Sequence, residues 1–127
     1  MSRVLLVCLG GAIGTGARYL VQTWAVKALG PAFPFGTLIV NALGSFLICG
    51  LMQVSALTEL IPSTLRIVLT VGVLGGFTTY SSFDYETFAF VKQGAWGLAA
   101  LNVASTVVVC FIAGALGDLA ARMLLRV

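Results

Sequence analysis

The chain has 127 residues, 60% hydrophobic and 9% charged, with a formal net charge of +3 and a mean hydropathy of +1.10. A soluble domain carries roughly 25% charged residues, and a core this small cannot hide so much apolar surface, so the composition excludes a soluble globular domain and requires a lipid-embedded one. Histidine is absent, which removes histidine-based metal sites and a histidine general base, and the seven basic residues stand singly rather than in the patch that nucleic-acid binding needs.

One membrane unit is expected to use residues 1–127, without a separate soluble domain. A crossing helix needs about 20 mostly apolar residues, and four stretches qualify. The first runs from about Val4 to Ala28. Arg3 before an apolar run imitates a secretory leader. The stretch is longer than a leader core, however, no small-residue cleavage site follows, and Val7 stands where a lipoprotein site needs a small residue, so the span is expected to be retained. Gly10 and Gly14 stand at GxxxG spacing, and Arg18 continues the same line. One face is therefore smooth and ends in a cation that must meet a carboxylate, backbone carbonyls, water or an interface, as vestibule or as snorkelling anchor.

The turn "LGPAFPFG" leads into the second span, Phe35 to Leu57, where Asn41, Ser45 and Cys49 recur every four residues. The Asn41 amide offers two donors and an acceptor, which suits an interhelical clasp, a ligand contact or both.

After "TELIPSTLR", a third span from Leu65 to about Val91 is apolar as far as Leu74 and then reads "GGFTTYSSFDYET". Low helix propensity at the glycines predicts a break over Gly75, Gly76, Phe77, Thr78 and Thr79, with the hydroxyls satisfying released backbone groups. Irregular backbone at membrane depth is tolerated when buried in protein or lining a wet cavity, and such sites often bind ions. Beyond the break, Thr79, Ser82 and Glu86 form one stripe and Tyr80, Phe83 and Thr87 its neighbour. Hydroxyl donors and ring edges, which are electropositive, suit a small anion; a core aromatic pair with hydroxyls bonded back to the helix is the structural alternative.

The fourth span, Trp96 to Leu125, follows "KQGAWG" and carries Asn102, Thr106, Cys110, Gly114 and Asp118 at four-residue intervals, a packing seam in preference to a polar pathway. Trp24 and Trp96 fall near span ends, where indoles favour the interface. Cys8, Cys49 and Cys110 lie in separate apolar segments without CxxC spacing and are expected to be buried, reduced thiols. With four spans both termini share one side. Arg3, Arg66, Arg122 and Arg126 fall there, against Lys27, Lys92 and, from within span one, Arg18. So small a bias barely selects an orientation: insertion both ways with antiparallel pairing, and a fixed orientation with cytoplasmic termini, both stay open.

"GGAIGTGARY", "FPFGTLIVNALGSF" and above all "GGFTTYSSFDYET" resemble the Fluc, or CrcB, family of fluoride channels. The likeness covers essentially the whole chain, and the span-three motif is its specific part. The resemblance implies an all-α membrane protein of four transmembrane helices, the third broken near its middle, assembled as an antiparallel dual-topology homodimer in a prokaryotic inner membrane. It further implies two fluoride pores and a structural sodium ion (Na+) held by the backbone carbonyls of Gly75 and Thr78 from each subunit. Asn41 would donate to fluoride, Tyr80 and Phe83 would be the aromatic box, and Ser81, Ser82 and Glu86 would line the pathway, with Arg18 near the vestibule. Tyr80 departs from the family's usual phenylalanine, and span four carries fewer hydroxyls than the family pattern.

A small proton-coupled multidrug exporter is the competing transporter class. It needs a buried carboxylate in span one, where this chain has Arg18 and no acid. A non-transporting assembly subunit is a third reading. An enzyme fits least, because Asp84 and Glu86 lie on different helical faces without a nucleophile, metal set or cofactor loop.

Overall fold

The computed structural model describes residues 2–126 and is helical throughout its regular structure. In chain order the elements are α1 (Arg3–Leu29), α2 (Phe35–Leu57), α3 (Ser63–Ile67), a π-helical stretch (Val68–Leu74), α4 (Gly75–Phe77), α5 (Tyr80–Lys92) and α6 (Trp96–Leu125). α1, α2 and α6, of 27, 23 and 30 residues, are each long and apolar enough to cross a membrane. The remaining elements, α3 through α5, form one composite, bent segment.

Local chemistry sets these boundaries. Ser2 caps α1 by accepting from the Leu5 amide at 3.4 Å, and Gly30, at φ 84°, ends the helix in a conformation that glycine tolerates. Pro31 and Pro34 then keep the connection from continuing as helix. α2 closes at Thr58, whose hydroxyl donates to the Val54 carbonyl at 2.8 Å.

The interruption of the composite segment is narrower than the expected Gly75–Thr79 break. Gly75 is helical at φ −63° and ψ −37°, and α4 runs through Gly76 and Phe77. The chain turns extended at Thr78 (φ −86°, ψ 161°) and Thr79 (φ −155°, ψ 117°). The glycines serve close packing instead. A Cβ on Gly76 would stand 2.5 Å from the Gly11 carbonyl oxygen and 3.1 Å from the Thr15 amide nitrogen.

The π-helical stretch has a packing cause too. Gly10 faces Val68 and Val73, while Gly14 faces Val73 and Phe77, so the residues presented to α1 are spaced five apart and then four. A spacing of five needs the wider turn of a π-helix. α1 thus packs along the composite segment through its GxxxG face, and α2 packs chiefly on α6. There the span-four stripe does act as a packing seam: Gly114 sits against Cys49, and a Cβ on Gly117 would collide with the Phe46 carbonyl oxygen. Asp118, on the same stripe, forms an i,i+4 ion pair with Arg122 at 2.9 Å.

The buried apolar set is small and made mostly of modest side chains, Ala25, Val40, Leu74, Phe83, Ala99 and Ala121, while most large apolar residues face outward. Trp24 and Trp96 are among the outward ones. In lipid the exterior is itself an apolar solvent, so apolar groups need no protein cover. For that reason the expectation of buried thiols fails at Cys8, which is exposed, and is only half met at Cys49 and Cys110; all three are unpaired.

Gly117→Ala is expected to lower stability by about 1–3 kcal/mol through overpacking, read as a fall in melting temperature of the detergent-solubilised protein. Gly16→Ala, whose new methyl meets nothing within 4 Å, is expected to leave the melting temperature unchanged or raise it.

Candidate functional site

The break between α4 and α5 exposes backbone groups that a continuous helix would pair internally. Asn41 on α2 takes two of them. Its Nδ2 donates to the Thr79 carbonyl at 2.9 Å, and its Oδ1 accepts from the Thr79 amide at 2.8 Å. The side-chain amide therefore docks on one residue of extended backbone as a neighbouring strand would. Gly44, one turn further along α2, clears space for Thr78, whose Cγ2 would collide with any Cβ at that position. Thr79, 6% exposed, caps α5: its hydroxyl accepts from the Ser82 amide at 3.2 Å and donates to the Ser82 hydroxyl at 3.0 Å.

The carbonyls from Gly75 to Thr78 lose their ordinary helical partners at this break. In an unbroken helix Gly75 would receive the Thr79 amide and Thr78 the Ser82 amide. Here those amides turn to Asn41 and to the Thr79 hydroxyl. The Thr78 carbonyl accepts instead from Arg18 Nη1 at 3.4 Å, and Thr15 reaches the Gly76 carbonyl at 3.5 Å. Of the partners that the sequence left open for Arg18, backbone carbonyl is the one observed.

The predicted site residues divide between two cavities. Asn41, Gly75, Thr78, Tyr80 and Phe83 line one of about 500 Å³, together with Thr106, whose hydroxyl is buried without a partner. Ser82 and Glu86 line another of about 720 Å³. α5 contributes to both, presenting Tyr80 and Phe83 to the first and Ser82 and Glu86 to the second. The Tyr80 and Phe83 rings lie 5.5 Å apart at 60°, with Phe83 buried and Tyr80 76% exposed. Ser81 is exposed, its hydroxyl 3.4 Å from that of Thr79.

Glu86 brings in residues that the sequence reading did not select. Thr37 on α2 donates to Glu86 Oε1 at 2.6 Å, and Gln22 on α1 donates to Thr37 Oγ1 at 3.2 Å. Glu86 Oε2 is buried without a hydrogen-bond partner. The signal was present in the spacing, since Gln22 continues the Gly10, Gly14, Arg18 line and Thr37 precedes Asn41 by four. On the opposite side Asn102 of α6 donates to Thr87 at 2.9 Å, and Thr87 donates back to the Phe83 carbonyl at 2.8 Å, which fixes α5 on α6.

Residues 5–118 match the family model described as CrcB-like protein, Camphor Resistance (CrcB). The chain belongs to the CrcB-like family. Among its relatives, the protein named fluoride-specific ion channel FluC of Anaeromyxobacter sp. (strain K) is 55% identical over 124 residues, covering 98% of each chain. The proteins of that name from Sorangium cellulosum (strain So ce56) and Geobacter metallireducens are 48% and 47% identical over 98% of this chain and 98% and 100% of their own. Family membership and three long apolar helices make this CrcB-family chain a multi-pass protein of the bacterial inner membrane.

Asn41→Ala leaves the Thr79 amide and carbonyl unpaired away from water. It is expected to destabilise the protein by about 1–3 kcal/mol, measured as a drop in melting temperature in detergent, whereas Thr79→Ser, which keeps the capping hydroxyl, should stay close to the parent.

Proposed function

We propose that the chain is a passive, fluoride-selective ion channel that lets fluoride leave the cell. The observation that carries the reading is the broken composite segment: it gathers hydroxyl donors, an asparagine amide and a tilted aromatic pair around the break between α4 and α5, in a chain matched end to end by relatives named fluoride-specific ion channels. In this reading the composite segment is the third of four crossings, and two copies of residues 1–127 associate antiparallel to form two pores.

Fluoride is small and strongly hydrated, so protein donors must replace its water in succession without any one of them holding it too firmly. The Asn41 amide has two hydrogens, of which the Thr79 carbonyl takes one; the second is free for an anion, so clasp and ligand roles coexist. The hydroxyls of Ser81 and Ser82 add donors, and the rings of Tyr80 and Phe83 can turn positive edges toward the ion while excluding bulk water. Arg18 places a cation beside the break, where it raises the local concentration of anions.

A structural sodium ion fits the residues at the break. Hard, uncharged carbonyl oxygens suit such a cation, and Gly75 and Thr78 are among those the break releases, the Thr78 oxygen keeping a second lone pair beside its 3.4 Å bond from Arg18. Two carbonyls from each of two chains would surround it. When bound, the ion would supply a fixed positive charge at the interface of the copies. The multidrug-exporter alternative has nothing in its favour, since α1 carries no acid, and the family reading makes the protein a channel rather than an enzyme.

Liposomes containing the purified protein, loaded with fluoride and followed with a fluoride-selective electrode, are expected to release fluoride and to retain chloride. Absence of fluoride release would defeat the proposal and favour a non-transporting assembly subunit. Tyr80→Phe removes the hydroxyl that distinguishes this aromatic pair and is expected to change the fluoride flux several-fold; an unchanged flux would show that the hydroxyl does not tune permeation.

A further inference from the structure

The Gln22, Thr37, Glu86 chain has a direction. Thr37 has one hydroxyl hydrogen, and it lies on the 2.6 Å bond to Glu86 Oε1. The oxygen of Thr37 then has only lone pairs for α1, and Gln22 must present an amide hydrogen, over 3.2 Å. Donation runs one way, from α1 through α2 to α5. Thr37, at the centre, is 3% exposed, so water cannot readily stand in for either bond. The contact is also tight on its other side, because a Cβ on Gly36 would stand 2.8 Å from the Gln22 Cα.

The far end of the chain matters because of what it holds. Glu86 lines the 720 Å³ cavity beside Ser82, and its Oε2 has no partner in the protein. Left unheld, the Glu86 carboxyl group is a competing acceptor for the Ser82 hydroxyl that shares its cavity, and the bond from Thr37 keeps it against α2. We propose that Gln22 is a positioning residue for permeation: by fixing the Thr37 hydroxyl it holds the Glu86 carboxylate against α2, so that the cavity keeps its serine hydroxyl available to fluoride. Gln22 itself touches no ion. This proposal rests on the fluoride-channel reading.

The test is a double-mutant cycle in proteoliposomes with the fluoride electrode. Gln22→Met, close in shape but unable to donate, is expected to lower fluoride flux about tenfold, because Thr37 and Glu86 are then held from one side only. Thr37→Ser keeps the hydroxyl and is expected to stay within about twofold of the parent. In a Glu86→Gln background there is no carboxyl group to hold, and adding Gln22→Met is expected to change flux by less than about twofold. Gln22→Met acting by the same factor in both backgrounds, or having no effect, overturns the proposal. A parent protein that passes no fluoride overturns the channel reading, and this proposal with it.

Discussion

The fold turns on the paired hydrogen bonds between Asn41 and Thr79. In hydrocarbon a helix can open only if its released amides and carbonyls find partners inside the protein, since each unpaired group costs several kcal/mol. One asparagine supplies both a donor and an acceptor to the extended backbone of Thr79, at 2.9 and 2.8 Å. Alanine or leucine at position 41 offers neither, and a serine, having a single hydroxyl, is too short to serve both. With the clasp in place α5 starts afresh at its own threonine cap, independent in direction from α4.

Glycine makes the clasp reachable. Asn41 is short, so α2 must come close to the break, and Gly44 lets it do so over Thr78. On the other side Gly10 and Gly14 bring α1 onto the π-helical stretch, which places Thr15 and Arg18 at the carbonyls of Gly76 and Thr78. Packing and polarity are therefore two aspects of one arrangement: the small residues determine how near the helices lie, and the polar residues one turn on complete the backbone pairing that nearness permits. Larger side chains at the glycines would separate the helices and strand the break in lipid.

The apolar spans, the turns and the existence of an interruption were legible because each leaves a local mark: length of apolar run, proline and glycine clusters, and hydroxyls following glycines. The place of the interruption was not, because it is decided across helices. Gly75 and Gly76 have the weaker helix propensity, yet they stay helical, and Thr78 and Thr79 open, because Asn41 lies opposite Thr79 and Gly76 is needed against Gly11. Gln22 and Thr37 were missed for a related reason. Each is unremarkable on its own helix, and only the packing of α1, α2 and α5 joins them to Glu86, although both sit on the four-residue lines that pointed to Arg18 and Asn41. Burial was misjudged at Cys8 because apolar does not mean interior when the solvent is lipid.

The same backbone accounting bears on assembly. Gly75 is exposed on the surface of the single chain, and its carbonyl has lost the amide of Thr79 to Asn41. Beyond it Tyr80 is 76% exposed and Ser81 is exposed as well, so polar groups around the break reach the surface of the single chain. Lipid tails satisfy none of these groups, and the several kcal/mol that each would forfeit in hydrocarbon exceeds the roughly 1–2 kcal/mol typical of a polar contact between membrane helices. They must meet protein, water or an ion. A second copy set antiparallel against the first, as in the proposed channel, would cover these groups with its own, so in that reading the interruption would also supply a reason for the chain to pair.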